Sequence, residues 1–200
     1  TEQLELLADA GPDRRLALLV ALAEAGLQDP AFDAALAELA TRDDATVAVG
    51  ALGHQITRFQ ASGAHAQLVA ARLDRLDRFP DAVEPRQERA ELAALFEGEL
   101  DDPDSALAQW QQIVAADPTD ANALAAMLRL GATTGQLEEC EALLRSVTAD
   151  VADPQARRAI RMAAVERALV RSEPVLAADL LDELLADDPA DSDAYAMRGA

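Results

Sequence analysis

The residues able to do chemistry in this chain are few and scattered. His54 and His65 are its only histidines. They fall on different predicted helices, with no second ligand at metal spacing, and read as partly exposed helix-face side chains. Cys140 is the single cysteine, which excludes an intramolecular disulfide and a multi-cysteine zinc site. The aspartate clusters Asp101-Asp102-Asp104, Asp187-Asp188 and Asp191-Asp193 bring carboxylates together, but without the central glycine and terminal glutamate of a calcium loop. Lying just before predicted helices, they suit N-caps and the positive end of the helix dipole instead. No glycine-rich phosphate loop is present. The chain is therefore expected not to be an enzyme, with no catalytic residue, no bound metal and no cofactor.

Charge excludes further classes. The formal net charge is −20 and the pI about 4.2, so phosphate backbones and anionic membrane surfaces are repelled and no nucleic-acid role is expected. The longest apolar run, Leu16 to Ala23, is far too short for a membrane span, and direct membrane insertion is not expected. All 17 basic residues are arginine, which together with abundant alanine points to a GC-rich, bacterial genome. One segment opposes the overall charge. Pro154 to Arg171 carries Arg157, Arg158, Arg161, Arg167 and Arg171 against the single acid Glu166. These arginines either pair with carboxylates of neighbouring helices or present a basic face to an acidic partner. The sequence leaves the compartment open between the cytoplasm and, if an N-terminal signal has been removed, the periplasm.

Half of the residues are hydrophobic but only 3% are aromatic, so burial must come from many small contacts, as in closely packed helices. β-Branched and aromatic residues never run together and no stretch alternates cleanly, which makes the fold all-α. Breaks at Gly11-Pro12, Gly26, Thr41–Asp44, Ser62-Gly63, Phe79-Pro80, Asp117-Pro118, Gly135, Pro154, Pro174 and Asp188-Pro189 divide the chain into eleven helices joined by short loops, with a helical fragment at 1–10. Leu68, Val69, Leu73 and Leu76 are expected to form one buried face.

Asp102 to Pro118 sets a register for the whole. Ala106, Trp110 and Ile113 share a helix face, and Pro118 stops the helix eight residues after the tryptophan. The small slot recurs at Ala35, Val69, Ala106, Cys140 and Ala177, in steps of 34, 37, 34 and 37 residues. A bulky slot follows four residues later at Leu39, Leu73, Trp110, Leu144 and Leu181, and a third at Arg42, Leu76, Ile113, Val147 and Leu184. A period near 34 with helix-turn-helix content marks repeats that cannot bury their apolar face alone and must stack. On this ladder Cys140 and Trp110 are packing residues.

In these motifs, with Leu124 to Cys140, Leu176 to Pro189, Tyr195 and Gly199, the chain resembles the tetratricopeptide repeat (TPR) family. The resemblance implies a right-handed α-solenoid of antiparallel helix pairs over residues 1–200: degenerate repeats over about 1–80, clear ones over 81–190, and a further repeat begun at 191–200. It also implies a scaffold or adaptor that binds a partner protein or peptide in a concave groove. The first helix of each repeat would line that groove, placing Asn122, Arg129, Arg158, Met162 and Glu166 toward a partner with an acidic segment. The family's lysine-and-asparagine clamp does not carry over, since lysine is absent. Without a polar capping helix, the C-terminal end is expected to belong to a longer array or to be covered by a subunit contact. The alternative role is a regulatory or substrate-recruiting segment of a larger enzyme or of an envelope or secretion assembly.

Overall fold

Helix-forming sequence punctuated by aspartate, proline and glycine yields helices and little else. The computed structural model describes residues 11–24 and 30–199. Among the described residues there are eleven α-helices, one 3-10 turn and no strand. The fragment expected at 1–10 and the helix-closing Gly26 lie outside them. The helices are α1 (Pro12–Glu24), α2 (Pro30–Ala40), α3 (Ala45–Ser62), α4 (His65–Arg78), α5 (Pro85–Gly98), α6 (Pro103–Ala116), α7 (Ala121–Thr134), α8 (Leu137–Ala149), α9 (Pro154–Val170), α10 (Pro174–Asp187) and α11 (Ser192–Arg198); the 3-10 turn at Pro80–Ala82 follows α4.

The boundaries have local causes. Proline opens α5, α9 and α10 in the first turn, where a missing N–H costs nothing. Asp44, Asp120, Asp153 and Asp191 precede α3, α7, α9 and α11 and accept hydrogen bonds from the first free backbone N–H groups. Asp102 does the same for Ser105 at 3.0 Å. Gly135 ends α7 with φ of 76°, a conformation that L side chains avoid.

The chain forms two compact units, divided between Ala106 and Leu107 inside α6. In the first, α2 packs on α3, α3 on α4 and α4 on α5, with α1 against α2 and α3. Its core joins Leu19, Phe32, Leu36, Leu39, Val47 and Leu52, with Ile56 and Leu68 continuing it. Arg78 from α4 reaches back to donate to the carbonyls of Ala40 and Arg42 at 2.7 and 2.8 Å, closing the C-terminal end of α2. In the second unit, α7 packs on α8, α8 on α9, α9 on α10 and α10 on α11. Val165, Ala168, Ala177, Leu180, Leu181, Leu184 and Ala194 form its core.

The small slot of the ladder is buried at all five positions, Ala35, Val69, Ala106, Cys140 and Ala177. The bulky slot is not uniform. Leu39, Leu144 and Leu181 are buried and Trp110 is half-buried, but Leu73 is 37% exposed. The expectation of Leu73 as a buried residue is corrected: α4 turns Arg72 inward beside it, to 4% exposure. The cause is Glu88 on α5, which accepts from Arg72 at 3.0 Å and from Arg75 at 2.6 Å, so that this contact is ionic where apolar packing was expected. Arg42, the polar member of the third slot, is exposed.

Candidate functional site

The arginines of α9 are spaced so that they leave the helix toward two neighbours. Arg157, Arg158 and Arg161 span one turn near the N-terminal end, opposite the acidic C-terminal end of α10 and the loop after it. Arg157 and Arg161 both reach Asp187, at 2.9 and 2.6 Å. Arg158 makes a fork on Asp191, with Nε to Oδ2 at 2.5 Å and Nη2 to Oδ1 at 3.0 Å, and Nη2 also donates to Asp193 at 2.7 Å. Just after the helix, Arg171 contacts Glu141 on α8 at 2.7 Å and Glu173 at 2.6 Å. A helix that is basic in sequence is thus largely neutralised by carboxylates of α8, α10 and α11 and of the loops flanking α10.

Asp191 is the most constrained of these groups. It is 5% exposed and caps α11 through the N–H groups of Asp193 and Ala194. The Arg158 hydrogen bond, reinforced by the Ala194 N–H, lowers its carboxyl pKa from 3.8 to about 2. The same pairing raises the pKa of Arg158. One ion pair therefore ties α9 to the start of α11.

The five residues expected to line a partner-facing groove are placed differently from one another. Asn122 and Arg129 are exposed on α7, and Glu166 is exposed on α9. Met162 is half-buried against the core formed by α9, α10 and α11. Arg158 holds Asp191 and Asp193.

Of the other reactive side chains, His65 lies 3.6 Å from Glu99 and is half-buried, as is His54. Among the described residues no group of histidine, cysteine and carboxylate side chains is arranged to hold a metal, and no helix is long and apolar enough to cross a membrane. Cys140 is fully buried against α7, with its thiol 3.8 Å from the Met127 carbonyl. Burial pushes the thiol pKa up, Gln111 at 3.8 Å works against that, and Glu139 and Glu141 add to it. A thiol in that state is a poor nucleophile.

Charge counting along α9 missed a small cavity beside it, which Arg161 also lines. Ile160, Ala164 and Arg167 follow at four and three residues and face Leu144 and Thr148 of α8 and Leu176 and Leu180 of α10, around a cavity of about 30 Å³. The signal was present in sequence, since Arg167 continues the apolar stripe of Ile160 and Ala164. Comparison with protein families, with curated proteins and with solved structures finds no match for this chain.

Proposed function

We propose that this chain is a protein-interaction scaffold, a right-handed α-solenoid of TPR-like helix pairs that holds a partner protein or peptide and catalyses nothing itself. The observation that supports the reading is the ladder: five residues spaced 34 or 37 apart, each buried on its helix. Such spacing makes each pair a unit whose apolar face is completed by the next, and leaves the first-helix faces for ligands. Within this reading Asn122, Arg129 and Glu166 are the exposed groups offered to a partner. Arg158 and Met162 act behind them, one as the tie to α11 and the other as packing.

The test is capture of partners by the whole chain from its source organism, repeated with Arg129→Glu combined with Glu166→Arg. A specific partner whose affinity and salt dependence change in the variant is the expected result. Capture of nothing specific sinks the scaffold reading, and unchanged binding by a folded variant removes the groove from it.

A further inference from the structure

Seven large apolar side chains stand exposed among the described residues, and three of them, Leu169, Val170 and Val175, fall within seven positions of one another. Single exposed apolar residues are ordinary, whereas a cluster points to contact with something else. Val170 and Val175 are the two most exposed of the seven, at 85% and 75%. They lie on either side of the turn 171–173 that joins α9 to α10. The turn is fixed in place. The N–H groups of Ser172 and Glu173 donate to the Leu169 and Ala168 carbonyls at 3.0 and 2.9 Å, and Arg171 bridges Glu141 and Glu173. The valines are therefore presented by ordered backbone, which leaves little ordering for a partner to impose.

Val175 borders an open basin of about 520 Å³ between α8 and the start of α10, within the span of about 300–1,000 Å³ typical of ligand pockets. Pro174 and Leu176 add to its apolar part. Its charged groups are unequal: Glu138, Glu141, Glu173 and Asp179 against Arg145 and Arg171. Arg171 is taken up by Glu141 and Glu173. That leaves the exposed carboxylates of Glu138 and Asp179 against the one exposed guanidinium of Arg145. On a chain of net charge −20, such a basin repels an anionic segment and draws a cationic one. A second copy of the chain is a poor occupant for the same reason, since it brings the same charge with it.

We infer that the α8–α10 basin is a docking surface for a short basic segment of a partner protein. A branched apolar side chain of that segment covers Val175, and its arginine or lysine meets Glu138 and Asp179. The apolar contact supplies affinity, and the charges supply orientation and speed of approach. This goes beyond the scaffold reading. It shares no residue with the first-helix groove, and it takes a partner of opposite charge to the acidic one expected there.

The experiment is NMR titration of the full chain with the capped peptide Ac-Gly-Arg-Leu-Leu-Arg-Gly-NH2, reading valine and leucine methyl resonances. Peptides of the same length carrying Arg-Ser-Ser-Arg or Glu-Leu-Leu-Glu are the controls. Saturable shifts centred on Val175 and Leu176 are expected, with half-saturation on the order of 0.1–1 mM. Each control should bind at least about tenfold more weakly. Val175→Ser, at an exposed position, should weaken the first peptide about tenfold with circular dichroism unchanged. Glu138→Arg with Asp179→Arg should turn the preference toward the acidic peptide. Arg129→Glu with Glu166→Arg should leave this binding as it was, which separates the basin from the groove. Equal binding of the serine peptide overturns the assignment, by reducing it to general attraction of cations to an acidic protein. Loss of binding in the Arg129 and Glu166 variant overturns it in favour of the groove. Val175 methyl shifts that follow protein concentration without peptide overturn it too, by giving the surface to a second copy.

Discussion

Arg72 on α4 and Glu88 on α5 face each other at 3.0 Å with only 5% and 7% of their side chains exposed. The second oxygen of Glu88 takes Arg75 at 2.6 Å, and Arg72 also contacts Glu91. The junction of α4 and α5 is thus ionic at its centre. Glu88→Gln leaves two guanidiniums without their shared anion and should cost about 3–5 kcal/mol. Arg72→Leu combined with Glu88→Leu should recover part of that loss, because two apolar groups replace two desolvated charges while Arg75 and Glu91 still lack a partner there. Urea unfolding of both variants measures the difference; equal losses would show that the pair is not the source of the cost.

The exposure of Leu73 gives a second test, within one ladder position. Leu39 is fully buried and Leu39→Ala should cost about 2–5 kcal/mol, whereas Leu73→Ala at the equivalent slot should stay within about 1 kcal/mol. Thermal melts of the two variants decide it. Comparable losses would restore Leu73 to the buried face.

Asp191 makes the second unit acid-sensitive in a defined window. Its folded-state pKa of about 2 lies below the ordinary 3.8, so the stability it contributes is complete above pH 3.8 and is lost as pH falls through about 2. Asp191→Asn keeps the side chain's shape but removes the titration. The urea midpoint of the variant should be lower than that of the native chain at pH 6, and the gap should close toward pH 2. A gap that persists at pH 2 would assign the effect to packing.

Gly131 sits where α7 and α8 approach. A Cβ there would lie 2.7 Å from Cys140 Sγ and 3.3 Å from Leu137 Cα. Gly131→Ala should therefore destabilise the chain by about 1–3 kcal/mol. Adding Cys140→Ala should relieve part of this, since the sulfur is removed but the Leu137 backbone remains. In the native chain Cys140 should react with a thiol reagent only on unfolding, being fully buried with a raised pKa. Rapid labelling of the folded protein would contradict this burial.

Much of the helix plan is written in local residues. Asp44, Asp120, Asp153 and Asp191 mark helix starts, proline opens α5, α9 and α10, and Gly135 closes α7, because each acts on backbone groups within a few positions. The small slot is legible for a related reason: close helix approach tolerates only a small side chain, whatever surrounds it, so Ala35, Ala106, Cys140 and Ala177 announce themselves. Partner choice is another matter. Arg158 reads the same in sequence whether it faces a ligand or Asp191, which lies 33 residues away, and nothing local distinguishes the two. Likewise Arg72 and Leu73 are adjacent and both long enough to bury. Which one turns inward depends on Glu88 arriving from another helix. Chain chemistry sets where helices begin, end and pack closely; which charges meet, and which are left over, is settled by packing between residues distant in the chain.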